Sequence, residues 1–331
     1  MISVGNTVLI IKKGEINEMI VKGIGATTHI DGHNMRMSKE ALESAADQIN
    51  KSGSVPSVGL NHDRTIMPLG KIIEAEVSIM EDGEYKIEIT QEIFENSKVL
   101  EFNDGEKYIE QKSENDKRPF EEENFNTDKI GLGYDLVNFE SEEALNDFLL
   151  SLTNEYDINL QMIVRKQLIP DPEIIFAISQ SIFGVLVGKK IVDKVLDKFM
   201  DKALVEVDNF YNFVRSTITK YIKYAIPKNR PITYVFQMSE GMDIELIAIT
   251  QEVELLMRAI EEDKLQKVFS RIEDIKLKFD INRVQFLLNT TGEWEFNYLL
   301  TSEGAVIGSE KSYSRKVKAV ELFGKEIEKL N

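Results

Sequence analysis

The side chains that could carry chemistry are few and lie toward one end of the chain. All three histidines, His29, His33 and His62, fall in its first fifth. His29, Asp31 and His33 alternate, so a strand would put them on one face. With His62 or Asp63 beside them they would make a nitrogen and oxygen metal site. Asp31-Gly32 is a turn signal that scatters those side chains, so we read them as exposed turn residues and assign no metal. A histidine suits a general base, because an imidazole titrates near neutrality. The acidic set Asp116, Glu121-Glu122-Glu123 and Asp128 lacks the spacing of a calcium loop and reads as solvated surface. Gly131-x-Gly133 is too short for a phosphate-binding signature, and no cofactor is expected. There is no cysteine, which excludes a disulfide framework, a thiolate metal site and a thiol nucleophile.

Composition narrows the classes further. The 331 residues carry a formal charge of −17, so clustered Lys and Arg for phosphate contacts are not to be expected, and neither is a nucleic-acid partner. The same balance argues against a polybasic membrane anchor. With 42% hydrophobic and 29% charged residues the chain reads as folded, and its length favours more than one core. The opening run Val8–Ile11 is short and precedes its lysines, which fits a strand better than a secretion signal, and a cytoplasmic protein is expected.

The elements that must position these residues follow from periodicity. Thr7–Ile11 and Glu18–Val21 alternate like strands. Ser38 caps a helix with Leu42, Ala45, Ala46 and Ile49 on one face, and Asp82-Gly83 joins strands near Gly70–Met80 and Tyr85–Gln91. Residues 101–150 hold fifteen acidic and five basic side chains, and Glu114–Asn126 reads as an exposed loop. Ser141 caps a short helix, and a strand is expected at Asp157–Arg165. The apolar run Ile174–Val187 is too short to span a bilayer and is expected to continue into a helix as far as Ala225. Hairpins are expected at Ile232–Ile249 and Arg283–Thr301, with a long helix from Thr250 between them and a final helix near Ser314. Trp294, Phe296 and Tyr298 alternate as an apolar sheet face, read as core rather than as a recognition edge.

Val21–Thr90, about a fifth of the chain, resembles the protease domain of phage prohead (head-maturation) serine proteases. The likeness rests on Gly23-Ile24-Gly25-Ala26, the helix Ser38–Asn50, Pro56-Ser57-Val58-Gly59-Leu60-Asn61-His62-Asp63, Pro68-Leu69-Gly70-Lys71-Ile72 and the acidic turn Glu81–Tyr85. The resemblance implies that His62 is the general base to a serine on a later strand. The strand that would align with the nucleophile, Tyr156–Arg165, has no Ser, Thr or Gly. Ser113 lies in the acidic run, and Ser179 falls where that family does not place its nucleophile.

The expected architecture is α+β: a β-rich, prohead-protease-like domain over 1–170 with an acidic insertion at about 101–140, a helical connector over 171–228, and an α+β domain over 229–331. The expected function is a non-enzymatic, phage- or prophage-related binding or assembly module. It would take a protein partner, with self-association through 174–225. The alternatives are a serine endopeptidase with His62 as base, and a bacterial defence effector with a membrane-acting helix at 174–200.

Overall fold

The computed structural model describes residues 12–13, 19–30, 36–61, 63–121, 130–163, 171–179, 182–183, 186, 197–239 and 241–330. The strand expected at Thr7–Ile11, and His33, Asp31 and His62, lie outside them. In chain order the strands are β1 (Lys12–Lys13), β2 (Met19–Thr27), β3 (Ser57–Val58), β4 (Gly70–Ile79), β5 (Tyr85–Ile93), β6 (Lys98–Glu101), β7 (Lys107–Lys112), β8 (Gly131–Tyr134), β9 (Asn159–Met162), β10 (Glu173–Ile178), β11 (Ile232–Ser239), β12 (Asp243–Thr250), β13 (Ile281–Leu288), β14 (Trp294–Thr301) and β15 (Ala305–Gly308). The helices are α1 (Lys39–Lys51), α2 (Glu142–Thr153), α3 (Asp197–Tyr224), α4 (Val253–Ala259), α5 (Glu262–Lys276) and α6 (Glu310–Leu330).

The chain divides into two compact units, and both are discontinuous in sequence. The first takes residues 1–122, 165–167 and 297–331, and the second takes 123–164 and 168–296. The boundaries expected from the sequence fall at 170 and 228. A composition shift marks a change in solvent exposure, whereas these units are held together by strand pairing between distant segments.

In the first unit, β1-β2-β5-β4-β3 form one antiparallel sheet. Ser38 caps α1 as expected, its hydroxyl accepting from the Ala41 N–H at 3.1 Å. Leu42, Ala46 and Ile49 lie on one helix face and pack on Val58, Ile72, Ala75, Ile87 and Ile89. A second core on this unit gathers Met67, Phe94, Phe120, Tyr298, Leu300 and Val306. It joins the N-terminal strands to the segment that follows residue 296.

The second unit is built on strands in the order β13-β12-β11-β10-β8-β9. Three neighbouring pairs are parallel, β8 with β9, β10 with β11 and β12 with β13, and each is bridged by helix. Phe148, Tyr221 and Tyr224 join α2 to α3, and Phe213 of α3 meets Phe176 of β10 edge-on at 5.9 Å.

Two expectations are corrected here. Glu173–Ile178 is a strand buried at all six positions and not the start of a helix. Its run of Ile-Ile-Phe-Ala-Ile carries no helical period, and burial between β8 and β11 calls for apolar residues on both faces. The expected connector thus begins as a strand, is helical at Ile182, Phe183 and Leu186 and again in α3, and its residues 180–181, 184–185 and 187–196 lie outside the described residues. The helix expected from Thr250 breaks at Ile260-Glu261, where other side chains take the end carbonyls: Trp294 Nε1 donates to Ala259 at 2.7 Å and Tyr211 to Ile260 at 2.8 Å. Among the described residues no helix is long and apolar enough to cross a membrane.

Candidate functional site

The loop expected to present His62 runs out from β3 and back to β4. The Leu69 N–H closes it by donating to the Val58 carbonyl at 2.8 Å. Asn61 takes a left-handed backbone, φ 48°, which its short polar side chain tolerates. Asp63 Oδ1 accepts both the backbone N–H and the hydroxyl of Thr65, at 2.8 and 2.7 Å, so it orders a turn. His62 itself lies outside the described residues.

The outer backbone of this loop is held from within the same unit. The Thr65 carbonyl accepts from Asn297 Nδ2 at 2.9 Å and from Arg315 at 3.3 Å. Tyr298 donates to the Arg64 carbonyl at 3.3 Å, and Lys316 Nζ to the Pro68 carbonyl at 2.8 Å. Met67 is fully buried, and Gly308 makes room for it, because a Cβ there would collide with the thioether.

The Pro68-Leu69-Gly70-Lys71 motif acquires a physical account. A Cβ on Gly70 would overlap the Glu92 carbonyl of the neighbouring strand, so only glycine fits. Lys71 is fully buried and donates to the carbonyls of Asp116 and Arg118 at 2.7 and 2.6 Å, with Phe120 below it at 5.2 Å. Gly304, φ 73°, leaves the space those bonds occupy. Burial pushes the Lys71 ammonium down to about 8, against the pull of Asp116 and Glu92. Burial also works against ionisation of Asp116, yet the side chain and backbone of Arg118 and the Lys71 charge hold it below the usual carboxylate range.

Ser113 belongs to this cluster. It donates to Glu92 Oε2 at 2.6 Å and accepts the Asp116 N–H at 2.7 Å. Arg118 completes the clasp by donating to the Ile49 and Ile73 carbonyls at 2.8 Å each. Of the loop expected at Glu114–Asn126, Glu114, Asn115 and Lys117 are exposed, Asp116, Arg118 and Phe120 are tied down so that 113–121 forms a strap across the sheet, and 122–126 lie outside the described residues. Ser179 is buried in the other unit, just after β10.

The remaining candidates scatter. His29 Nε2 meets the Asp82 carboxylate at 2.8 Å, an exposed contact that holds Asp82 below its ordinary range. Glu121 accepts from Gln48. Among the described residues no three His, Asp or Glu side chains gather to hold a metal ion. Gly131 and Gly133 lie in β8 opposite Ala177 and Ile175.

No family model, curated protein or solved structure matches this chain.

Sequence reasoning passed over one further cluster, in the second unit. Gln237, Glu245 and Gln285 share one register across β11, β12 and β13, and Ser239, Asp243 and Arg283 share the next row on the same face. All of the first row is buried, and Gln285 Nε2 donates to Glu245 at 2.9 Å. Ser239 donates to Asp243 at 2.7 Å, and Arg283 pairs with that carboxylate at 3.6 Å. A cavity of about 600 Å³ opens at the same end of these strands, lined by Gly241, Met242 and residues 276–281. The signal was present: each of three apolar strands carries a lone glutamine or glutamate, and buried polar groups need partners.

Proposed function

We propose that this chain is a non-enzymatic binding or assembly module, phage- or prophage-related, in which a degenerate prohead-protease-like region presents a surface. The observation that carries this is the 61–68 loop, whose backbone is tied at Arg64, Thr65 and Pro68 by four side chains of β14 and α6. A loop fixed in this way meets a partner without an ordering cost, which is what preorganised recognition requires. Ser113, the serine of the strap, is engaged on both sides of its hydroxyl by Glu92 and Asp116. An acyl-transfer nucleophile needs a hydroxyl facing a base and open to substrate.

The test is labelling of the purified chain with a fluorophosphonate probe. No stoichiometric adduct is expected, and His62→Ala and Ser113→Ala should give the same background as the parent. Stoichiometric labelling that disappears in His62→Ala would replace this reading with a serine endopeptidase. The genes beside this one supply a second check: portal and capsid genes fit assembly, whereas a cluster of defence genes would count against it.

A further inference from the structure

Lys316 is buried at the second core of the first unit, and among the described residues no carboxylate meets its side-chain nitrogen. It projects from α6 and donates to two acceptors, the Pro68 carbonyl at 2.8 Å and Gln111 Oε1 at 2.6 Å, with the Phe94 ring centroid at 5.6 Å. A neutral amine has two N–H groups, and two oxygens receive them. An ammonium has a third, for which only the ring remains. The charged side chains on the elements around it are engaged elsewhere. Arg315 donates to Thr65 and Asn297, Asp63 accepts from Thr65, and Glu92 accepts from Ser113. Glu110 and Lys112 alternate with Gln111 along β7 and so face the other side of that strand. Lys71 differs in this respect, because Asp116 and Glu92 support its charge.

We propose that Lys316 is a proton-operated latch. As the neutral amine it holds α6 against β7 and against the base of the 61–68 loop, and as the ammonium it loosens that docking. Burial pushes its pKa down to about 7, so the latch is poised near neutrality. The sign follows from linkage. An opened α6 would return Lys316 to its ordinary value of 10.5, so the open form binds the extra proton between about 7 and 10.5. Docking therefore strengthens as pH rises through that window and is flat below it. The loop affected is the one with which Pro68 ends, so the device would act on the surface proposed above. It does not depend on what that surface binds.

Amide hydrogen exchange on the full chain, corrected for intrinsic rates, reads the latch. Opening of α6 residues 312–325 and of residues 65–69 should be about tenfold more frequent at about pH 7 than at about pH 8.5. In Lys316→Met the same amides should be protected equally at both values. An unchanged dependence in Lys316→Met, or none in the parent, would overturn the proposal. Should the variant fail to fold, a titration of the Lys316 side chain by carbon NMR decides the matter in the parent, and an ordinary lysine midpoint would end it.

Discussion

At the scale of single residues, two glycines with positive φ make different claims. Gly83, φ 89°, turns into open space, whereas Gly304, φ 73°, lies against Lys71 Nζ and the Arg118 carbonyl. Gly83→Ala should cost about 1 kcal/mol, the strain of a left-handed alanine. Gly304→Ala should cost roughly 2–4 kcal/mol, because the methyl also displaces the two Lys71 hydrogen bonds. Urea midpoints check the difference, and Lys71→Met combined with Gly304→Ala should cost less than the sum of the two single changes. The motif Pro68-Leu69-Gly70-Lys71 was visible in the sequence, but its cause was not. Lys71 bonds to backbone carbonyls more than forty residues away, and a carbonyl has no sequence signature. In the same way the role of Asp63 beside His62, ordering the turn through Thr65, has no signature in the sequence.

Among the elements, the strap at 113–121 shows how charge misleads. Its acidic and polar residues suggest solvent, and Glu114, Asn115 and Lys117 are exposed, yet Ser113, Asp116 and Arg118 face inward onto Glu92, Lys71 and the carbonyls of Ile49 and Ile73. Arg118→Ala should cost about 2–3 kcal/mol, since it removes charge-assisted bonds to the Ile49 and Ile73 carbonyls. It should also open the strap locally. Brief proteolysis is the check: cuts within 113–121 should appear in the variant well before the parent shows them, and equal rates would mean that Lys71 alone holds the segment. Helix α1, its serine cap and the β4–β5 hairpin were legible because their signals are local. β10 was not, since a short run that is apolar on every side suits a buried strand or a buried helix equally.

For the whole molecule, titration gives the broadest prediction. Lys71 and Lys316 are depressed to about 8 and about 7, so the unfolded chain binds more protons than the native one from there up to 10.5, and stability rises with pH in that window. Burial raises the Tyr234 phenol and pushes Tyr211 to about 12, so above about pH 10 the unfolded chain releases protons first and stability falls again. Denaturation midpoints should therefore climb between about pH 7 and 9 and turn down beyond about pH 10. Replacing both lysines by methionine should flatten the climb. The division of the chain has another consequence, one of timing. The core beneath the 61–68 loop needs Tyr298, Leu300 and Val306, and the carbonyls of that loop need Asn297, Arg315 and Lys316. A ribosome moving at roughly 5–20 residues per second delivers those partners on the order of ten seconds or more after residue 122 has emerged. For that interval Met67, Phe94 and Phe120 wait without the rest of their core, while the second unit, contiguous but for three residues, is made and can fold ahead of it.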